Sequence, residues 1–141
     1  MEQRLSFITL GVGDLDRAAN FYRRLGWTPA KMGEGQGVVF FQLGGIVLAL
    51  WPREELAADA GVEQGSVGFS GVSISYNARS REEADAVMAQ AIAAGAIQTK
   101  PLQQVSWGGY AGYFADPEGH LWEVVHNPKA RIAKDGSVHI D

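Results

Sequence analysis

The chain contains no cysteine among its 141 residues. It therefore has no disulfide framework, no thiol nucleophile, and no thiolate ligand for zinc or an iron–sulfur cluster. Any catalysis must use histidine, carboxylates, hydroxyls or a cofactor. Long apolar runs are missing too: the richest, residues 38–51, is interrupted by Gln42, Gly44 and Gly45 and falls short of the roughly 20 residues that span a bilayer. We expect no membrane partner.

Net positive charge is also lacking, because 12 lysines and arginines face 16 aspartates and glutamates. The formal charge of -4 repels a phosphate backbone, so nucleic-acid binding is not expected. Residues 1–5 show neither the charged lead nor the apolar run of a secretory signal, which favours a cytoplasmic protein. Hydrophobic residues make up 46% and charged residues 20%, proportions typical of a soluble folded domain.

Glycine, by contrast, is abundant, and its 18 residues fall between short apolar runs. In the first half, residues 5–12 have the composition of a strand. Apolar residues then recur at helical spacing within residues 15–25, after a potential helix cap at Asp14. Two more apolar runs flank Gly44-Gly45 and predict a hairpin, with a further short strand at residues 27–31. The order is β-α-β-β-β.

The second half repeats this order after a polar segment, residues 53–66, that indicates a linker. A strand over residues 67–76 precedes a helix that begins at the capping box Ser80-Arg81-Glu82-Glu83 and ends at Gly95. Three further strands are expected, at residues 96–100, 109–115 and 120–126, the last two flanking the turn Asp116-Pro117-Glu118-Gly119.

Two motifs resemble signatures of the vicinal oxygen chelate superfamily, which includes glyoxalase I, bleomycin-resistance proteins and extradiol dioxygenases. Residues 13–27, beginning Gly-Asp-Leu-Asp-Arg-Ala, are similar to its first strand–helix signature, and residues 113–124, Tyr-Phe-Ala-Asp-Pro-Glu-Gly-His-Leu-Trp-Glu-Val, to its closing hairpin. Together the repeat and the resemblance predict an α+β fold. Two βαβββ modules would form an eight-stranded curved mixed sheet, with helices on the outer face and a concave ligand cleft.

We therefore predict a single domain over residues 1–141. Its first module covers residues 1–52, the linker residues 53–66, the second module residues 67–128, and a C-terminal tail residues 129–141.

The resemblance also implies a divalent metal held by four strand residues, two from each module. Carried over one at a time, those positions fall on Phe7, Leu48, Gly71 and Glu123. Only Glu123 can coordinate, and a lone carboxylate does not hold a divalent ion against water. We expect no resident metal and no other cofactor. Phe7, Leu48 and Leu50 would instead make the concave face apolar.

Glu123 is the candidate catalytic residue, because alternation with buried neighbours would turn it into the cleft. It could act as a general base or as a hydrogen-bond anchor for a ligand, or be an inherited residue satisfied by water or a hydroxyl. The aromatic residues Trp107, Tyr110 and Tyr113 could form stacking walls or pack in the core. The predicted ligand-binding residues are Phe7, Thr9, Leu48, Leu50, Ser73, Trp107, Tyr110, Tyr113 and Glu123, with Ser75 as a further hydroxyl on the same side.

Two functions remain open from the sequence. The first is a metal-free, bleomycin-resistance-like protein that binds a small apolar or aromatic molecule in the concave cleft. The second is an enzyme of the same superfamily, a lyase, isomerase or dioxygenase, using Glu123 as metal ligand or general base. The resemblance, together with strand edges that need cover, favours a homodimer.

Overall fold

The computed structural model describes residues 1, 3, 6–61, 63–65, 68–70 and 72–139. They form two compact units, Met1–Phe69 and Ser70–Asp141. Each unit combines strands with helices, so the predicted α+β class is confirmed. Within the described ranges, no helix is both long and apolar enough to cross a membrane.

The first unit contains a three-stranded mixed sheet. Its elements are β1 (Phe7–Val12), α1 (Leu15–Arg24), β2 (Val39–Leu43), β3 (Ile46–Pro52) and α2 (Arg53–Ala60). The strand order is β1-β3-β2, with β1 parallel to β3 and β2 antiparallel to it. The strand predicted at residues 27–31 is wrong: that segment is irregular, although Ala30 N donates a hydrogen bond to Phe40 O at 2.8 Å.

Helix α1 begins and ends where the sequence predicts. Asp14 caps its first turn through a side-chain oxygen, and Gly26 follows it at φ 93°, a left-handed value that glycine adopts without strain. Tyr22 is fully buried. Its ring stacks on Trp27 at 5.2 Å and lies 5.7 Å from the ring of Phe41 on β2. These aromatic contacts hold α1 against one face of the sheet.

The predicted linker at residues 53–66 is partly helical, and this is a correction. Helix α2 runs over Arg53–Ala60 and ends at Gly61, whose φ of 70° is left-handed. The segment is rich in alanine, leucine and glutamate, which have high helix propensity. Only Ala57 of this helix is buried, so it lacks the apolar stripe by which an amphipathic helix is detected in a sequence.

The second unit contains a four-stranded sheet of order β4-β7-β6-β5 and a small two-stranded sheet. Its elements are β4 (Ile74–Asn77), α3 (Arg81–Ala94), β5 (Ile97–Gln104), β6 (Tyr110–Ala115), β7 (Leu121–His126), β8 (Arg131–Ile132) and β9 (Val138–His139). Strand β4 is parallel to β7, as β1 is to β3, so the two units repeat one arrangement of strand, helix and hairpin.

Three boundaries in the second unit differ clearly from the sequence prediction. The strand predicted at residues 96–100 continues to Gln104 as β5. The strand predicted over residues 67–76 begins only at Ile74, and of its earlier positions Val67 and Gly71 lie outside the described residues. The tail predicted at residues 129–141 includes the hairpin β8–β9, to which the Arg79 guanidinium donates hydrogen bonds at the carbonyls of Ile132 and Ala133.

Helix α3 is capped at one end by a side chain and at the other by glycine. Ser80 Oγ accepts a hydrogen bond from Glu83 N at 3.1 Å, and Gly95 ends the helix at φ 114°. The second bond of the predicted capping box does not form as expected. The Glu83 carboxylate instead accepts from Arg79 N at 2.7 Å and from the Tyr76 hydroxyl at 2.6 Å.

The described strands hydrogen-bond in sheets of three, four and two strands. The single eight-stranded curved sheet therefore stays a prediction, as does the assignment of residues 1–141 to one domain.

Candidate functional site

The strand register separates the four-stranded sheet into two faces. Ser75 pairs with Glu123, and Glu123 pairs in turn with Tyr113, so these three side chains share one face. Their neighbours Trp122 and Val124 lie on the other face, where they are buried and where α3 contacts β5, β6 and β7. We call the face of Ser75, Tyr113 and Glu123 the open face, and the face covered by α3 the helix face.

Three neighbouring strands bring a carboxylate and two hydroxyls together on the open face. Ser75 Oγ on β4 donates a hydrogen bond to Glu123 Oε2 at 2.8 Å, and the Tyr113 hydroxyl on β6 donates to Glu123 Oε1 at 3.2 Å. Burial raises the pKa of Tyr113, and the negative charge of Glu123 and the hydrogen bond to it raise that pKa further. Tyr113 therefore remains a neutral donor, and both carboxylate oxygens are held in place. We call Ser75, Tyr113 and Glu123 the carboxylate trio.

Tyr110 was predicted to line the ligand site together with Tyr113, but the register puts the two side chains on opposite faces of the sheet. Tyr110 pairs with His126 and lies on the helix face. Its hydroxyl donates to Asp85 Oδ1 on α3 at 2.7 Å, and the Arg81 guanidinium lies 5.3 Å from the centre of its ring. The hydrogen bond to Asp85 raises the pKa of Tyr110. The spacing of Tyr110 and Tyr113 could have predicted this, because residues three apart on a strand point to opposite faces.

Trp107 and Ser73 lie beside the strands that carry the trio. Trp107 is in the connection between β5 and β6 and is 47% exposed. Its ring packs over Gly109, where an added Cβ would lie 2.1 Å from a ring atom, so a side chain at position 109 would displace the indole. Ser73 is exposed and precedes β4. Both stay predictions as ligand contacts.

The four ligand residues predicted in the first unit do not share a face, and this is a second correction. Phe7 and Thr9 pair with Val47 and Ala49 on β3, whereas Leu48 and Leu50 belong to the opposite face. Leu48 and Leu50 are buried, on the side where α1 packs, and form part of the core. Phe7 is 55% exposed and Thr9 is exposed, so these two keep the accessibility that a ligand contact needs.

The donor set does not fit the divalent metal of the vicinal oxygen chelate superfamily. Phe7 and Leu48 carry no donor atom, Gly71 lies outside the described residues, and both oxygens of Glu123 are bonded to hydroxyls. Across the described ranges, no three or more histidines, aspartates and glutamates converge on one point. Hard divalent ions need several oxygen ligands, which one carboxylate does not supply.

The histidines flanking β7 contact groups of the fold. Asp116 is buried, and its Oδ1 accepts hydrogen bonds from Glu118 N and His120 N, both at 2.9 Å. His120 Nδ1 lies 3.0 Å from Asp116 Oδ2, and His126 Nδ1 lies 3.2 Å from Ala78 O. Asp116 therefore organises the turn between β6 and β7, which sets the register of Glu123.

Comparison with known families assigns the chain to one superfamily. The model of the Glyoxalase/Bleomycin resistance protein/Dioxygenase superfamily matches residues 4–124. The chain belongs to this superfamily, as the two sequence motifs implied.

Individual relatives include proteins named as enzymes. Metallothiol transferase FosB from Shouchella clausii (strain KSM-K16) is 29% identical over 125 residues, which cover 88% of this chain and 80% of the relative. A glyoxalase-related enzyme from Fulvimarina pelagi is 38% identical with a TM-score of 0.89, and 98% of each chain is covered. Lactoylglutathione lyase from Agrobacterium tumefaciens is 27% identical with a TM-score of 0.69, covering 90% of this chain and 96% of that one.

Proposed function

We propose that this protein binds a small, largely apolar or aromatic molecule on the open face, without a resident metal, and that Glu123 anchors the polar part of that molecule. The observation that carries the proposal is the carboxylate trio. A half-buried carboxylate is fixed by Ser75 at 2.8 Å and Tyr113 at 3.2 Å on a face that α3 does not cover. Because the carboxylate is already fixed, less conformational entropy is lost when a ligand binds.

The apolar part of the proposed site rests on Trp107. Its indole is 47% exposed and lies in the connection leading into β6, the strand that carries Tyr113. Small-molecule sites commonly combine an exposed aromatic ring, which supplies area, with a fixed polar group, which supplies orientation.

A second candidate function is catalysis with Glu123 as general base. The names of three relatives favour it, since they describe a transferase, a lyase and a glyoxalase-related enzyme. A general base must lie within hydrogen-bond reach of the proton that it removes, and Glu123 would meet that requirement for a ligand on the open face. The two functions differ in one observable, which is turnover of the bound molecule.

The proposal is tested by a thermal-shift screen of small aromatic molecules, followed by calorimetry on the parent protein and two variants. Trp107→Ala should weaken binding of a hit by about 1 to 3 kcal/mol, the range for losing a side chain that the ligand buries. Glu123→Gln keeps the shape and removes the charge, so affinity should fall by roughly tenfold. If both variants bind like the parent, the open face is not the site.

The proposal that no metal is resident is tested by a separate measurement. Protein purified without chelator should carry transition metal well below stoichiometry, and addition of zinc or nickel should leave the melting temperature unchanged. Near-stoichiometric metal in the purified protein would contradict this part and favour a metalloenzyme.

The predicted homodimer and the single curved sheet with its concave cleft stay proposals based on the resemblance. A monomeric mass in solution at micromolar concentration would count against the dimer.

A further inference from the structure

The carboxylate trio presents hydrogen-bond acceptors and no donor. The Ser75 hydroxyl and the Tyr113 hydroxyl each have one proton, and both protons are already donated to Glu123. What these hydroxyls can still offer is oxygen lone pairs. An ionised carboxylate is acceptor-only and has about four acceptor positions, of which the hydroxyls occupy two.

Within the described part of the chain, Glu123 forms no ion pair with a lysine, arginine or histidine. Its carboxylate oxygens accept hydrogen bonds from the neutral hydroxyls of Ser75 and Tyr113. Lys100 is opposite Tyr113 in the β5–β6 register and so also lies on the open face, but β5 is two strands away from β7 and Lys100 forms no ion pair with Glu123. A half-buried carboxylate without a cation is incompletely compensated, since two neutral donors offset only part of its lost hydration.

We infer that the open face selects a ligand with a cationic, donor-only group, such as an ammonium or amidinium, which completes the coordination of Glu123 where a metal ion would otherwise be expected. This inference rests on the proposed function, because it specifies the ligand of the same site. An ammonium or amidinium brings several N–H donors and no acceptor, so it matches the trio in both charge and hydrogen-bonding sense.

The same arrangement works against anions. A carboxylate or phosphonate group approaching the trio would meet lone pairs on all three side chains and the negative charge of Glu123. It could bind only if Ser75 or Tyr113 withdrew its proton from Glu123, leaving a carboxylate oxygen without that partner. A neutral alcohol should bind with an affinity between those of a cation and an anion, because it can donate one hydrogen bond but brings no charge.

Three probes of similar size separate these cases: benzylamine, which is protonated at neutral pH, benzyl alcohol, which is neutral, and benzoate, which is an anion. Each is titrated into isotope-labelled protein, and affinities are read from the amide signals of Ser75, Tyr113 and Glu123. Benzylamine should bind at least about tenfold more tightly than benzyl alcohol, and benzoate more weakly than either.

Two variants show whether Glu123 causes the preference. In Glu123→Gln the preference for benzylamine over benzyl alcohol should disappear. Asp85→Asn is the matched control, because Asp85 also accepts a tyrosine hydroxyl, from Tyr110 at 2.7 Å, but lies on the helix face. It removes the same charge from the same unit and should leave the preference intact.

The possible results distinguish a failure of this inference from a failure of the proposed function. Equal binding of benzylamine and benzyl alcohol, or tighter binding of benzoate, would overturn the selection for a cation while leaving an aromatic site in place. A preference that survives in Glu123→Gln, or that is lost equally in Asp85→Asn, would also overturn it. If none of the probes shifts the amides of the trio, both the inference and the proposed function fail.

Discussion

Both faces of the four-stranded sheet contain a tyrosine hydroxyl that donates to a carboxylate, but the partners belong to different elements on the two faces. On the helix face, the hydroxyls of Tyr76 and Tyr110 donate to Glu83 and Asp85, at 2.6 and 2.7 Å. Both carboxylates belong to α3, so each pair ties the helix to the sheet. On the open face, Glu123 and its two hydroxyl donors all belong to the sheet itself. The two hydrogen bonds of the trio therefore join neighbouring strands and not a helix to the sheet.

This difference indicates that the first two pairs stabilise the fold, and it supports the proposal that the trio binds a ligand. A polar group that joins two elements contributes to the free energy of unfolding when it is removed. A hydrogen bond within one sheet links strands that the backbone ladder already joins, so we expect its removal to lower that free energy less. Substitutions on the two faces should therefore separate stability from affinity.

The largest expected effect is on stability, from Trp122 on the helix face. Trp122 is 5% exposed and stacks on Phe114, with ring centroids 6.2 Å apart and planes 6° from parallel. Trp122→Ala should lower the free energy of unfolding by about 3 to 5 kcal/mol, because it removes a large buried ring and leaves a cavity. Urea denaturation measures this change, with Ser75→Ala on the open face as control. A loss of less than about 1 kcal/mol would show that the helix face is not the core of this unit.

A smaller and pH-dependent effect is expected from Tyr76→Phe. The hydrogen bond to Glu83 raises the pKa of Tyr76 to about 12, above the ordinary value of about 10. The same bond lowers the pKa of Glu83. Near neutral pH the substitution should lower the free energy of unfolding by about 1 kcal/mol, a figure reduced for solvent screening because Tyr76 is 39% exposed.

The sign of the pH dependence follows from the raised pKa of Tyr76. A tyrosine that keeps its proton longer in the folded state gives stability that is complete below pH 10 and is lost as the pH rises towards about 12. Urea midpoints of parent and Tyr76→Phe should therefore differ near neutral pH and converge in that alkaline window. A difference that stays constant through the window would mean that the hydroxyl does not act through this bond.

The smallest and most specific effect compares two tyrosines on opposite faces. Tyr113→Phe removes one donor from the trio and should weaken ligand binding by about 2- to 10-fold, with little change in the urea midpoint. Tyr110→Phe removes the hydroxyl bonded to Asp85 and should lower the urea midpoint slightly while leaving affinity unchanged. Calorimetry and denaturation on both variants give the comparison. The reverse pattern would assign the ligand to the helix face.

Much of this arrangement could be predicted from the sequence where the signals are local. Asp14 and Ser80 cap α1 and α3, Gly26 and Gly95 follow those helices, and the turn of residues 116–119 lies between β6 and β7 as expected. Side-chain caps and left-handed glycines act within a few residues, so they leave a recognisable pattern in the chain.

Other features depend on pairing between strands that are distant in the sequence, so local patterns could not predict them. Leu48 and Leu50 lie on the opposite face from Phe7 because β3 pairs with β1 in a register that no local pattern specifies. The bond between Ser75 and Glu123 likewise joins residues 48 positions apart. The sequence indicated Thr9, Ser73 and Ser75 as hydroxyls on the ligand side, and only the strand register shows that Ser75 bonds to Glu123.

The most direct measurement is a crystal structure of the protein with the best ligand from the screen. The account predicts density for the ligand on the open face, with a donor group within hydrogen-bond distance of Glu123 and the Ser75 and Tyr113 hydroxyls still bonded to that carboxylate. Density for the ligand elsewhere, or a metal ion coordinated by Glu123, would contradict it.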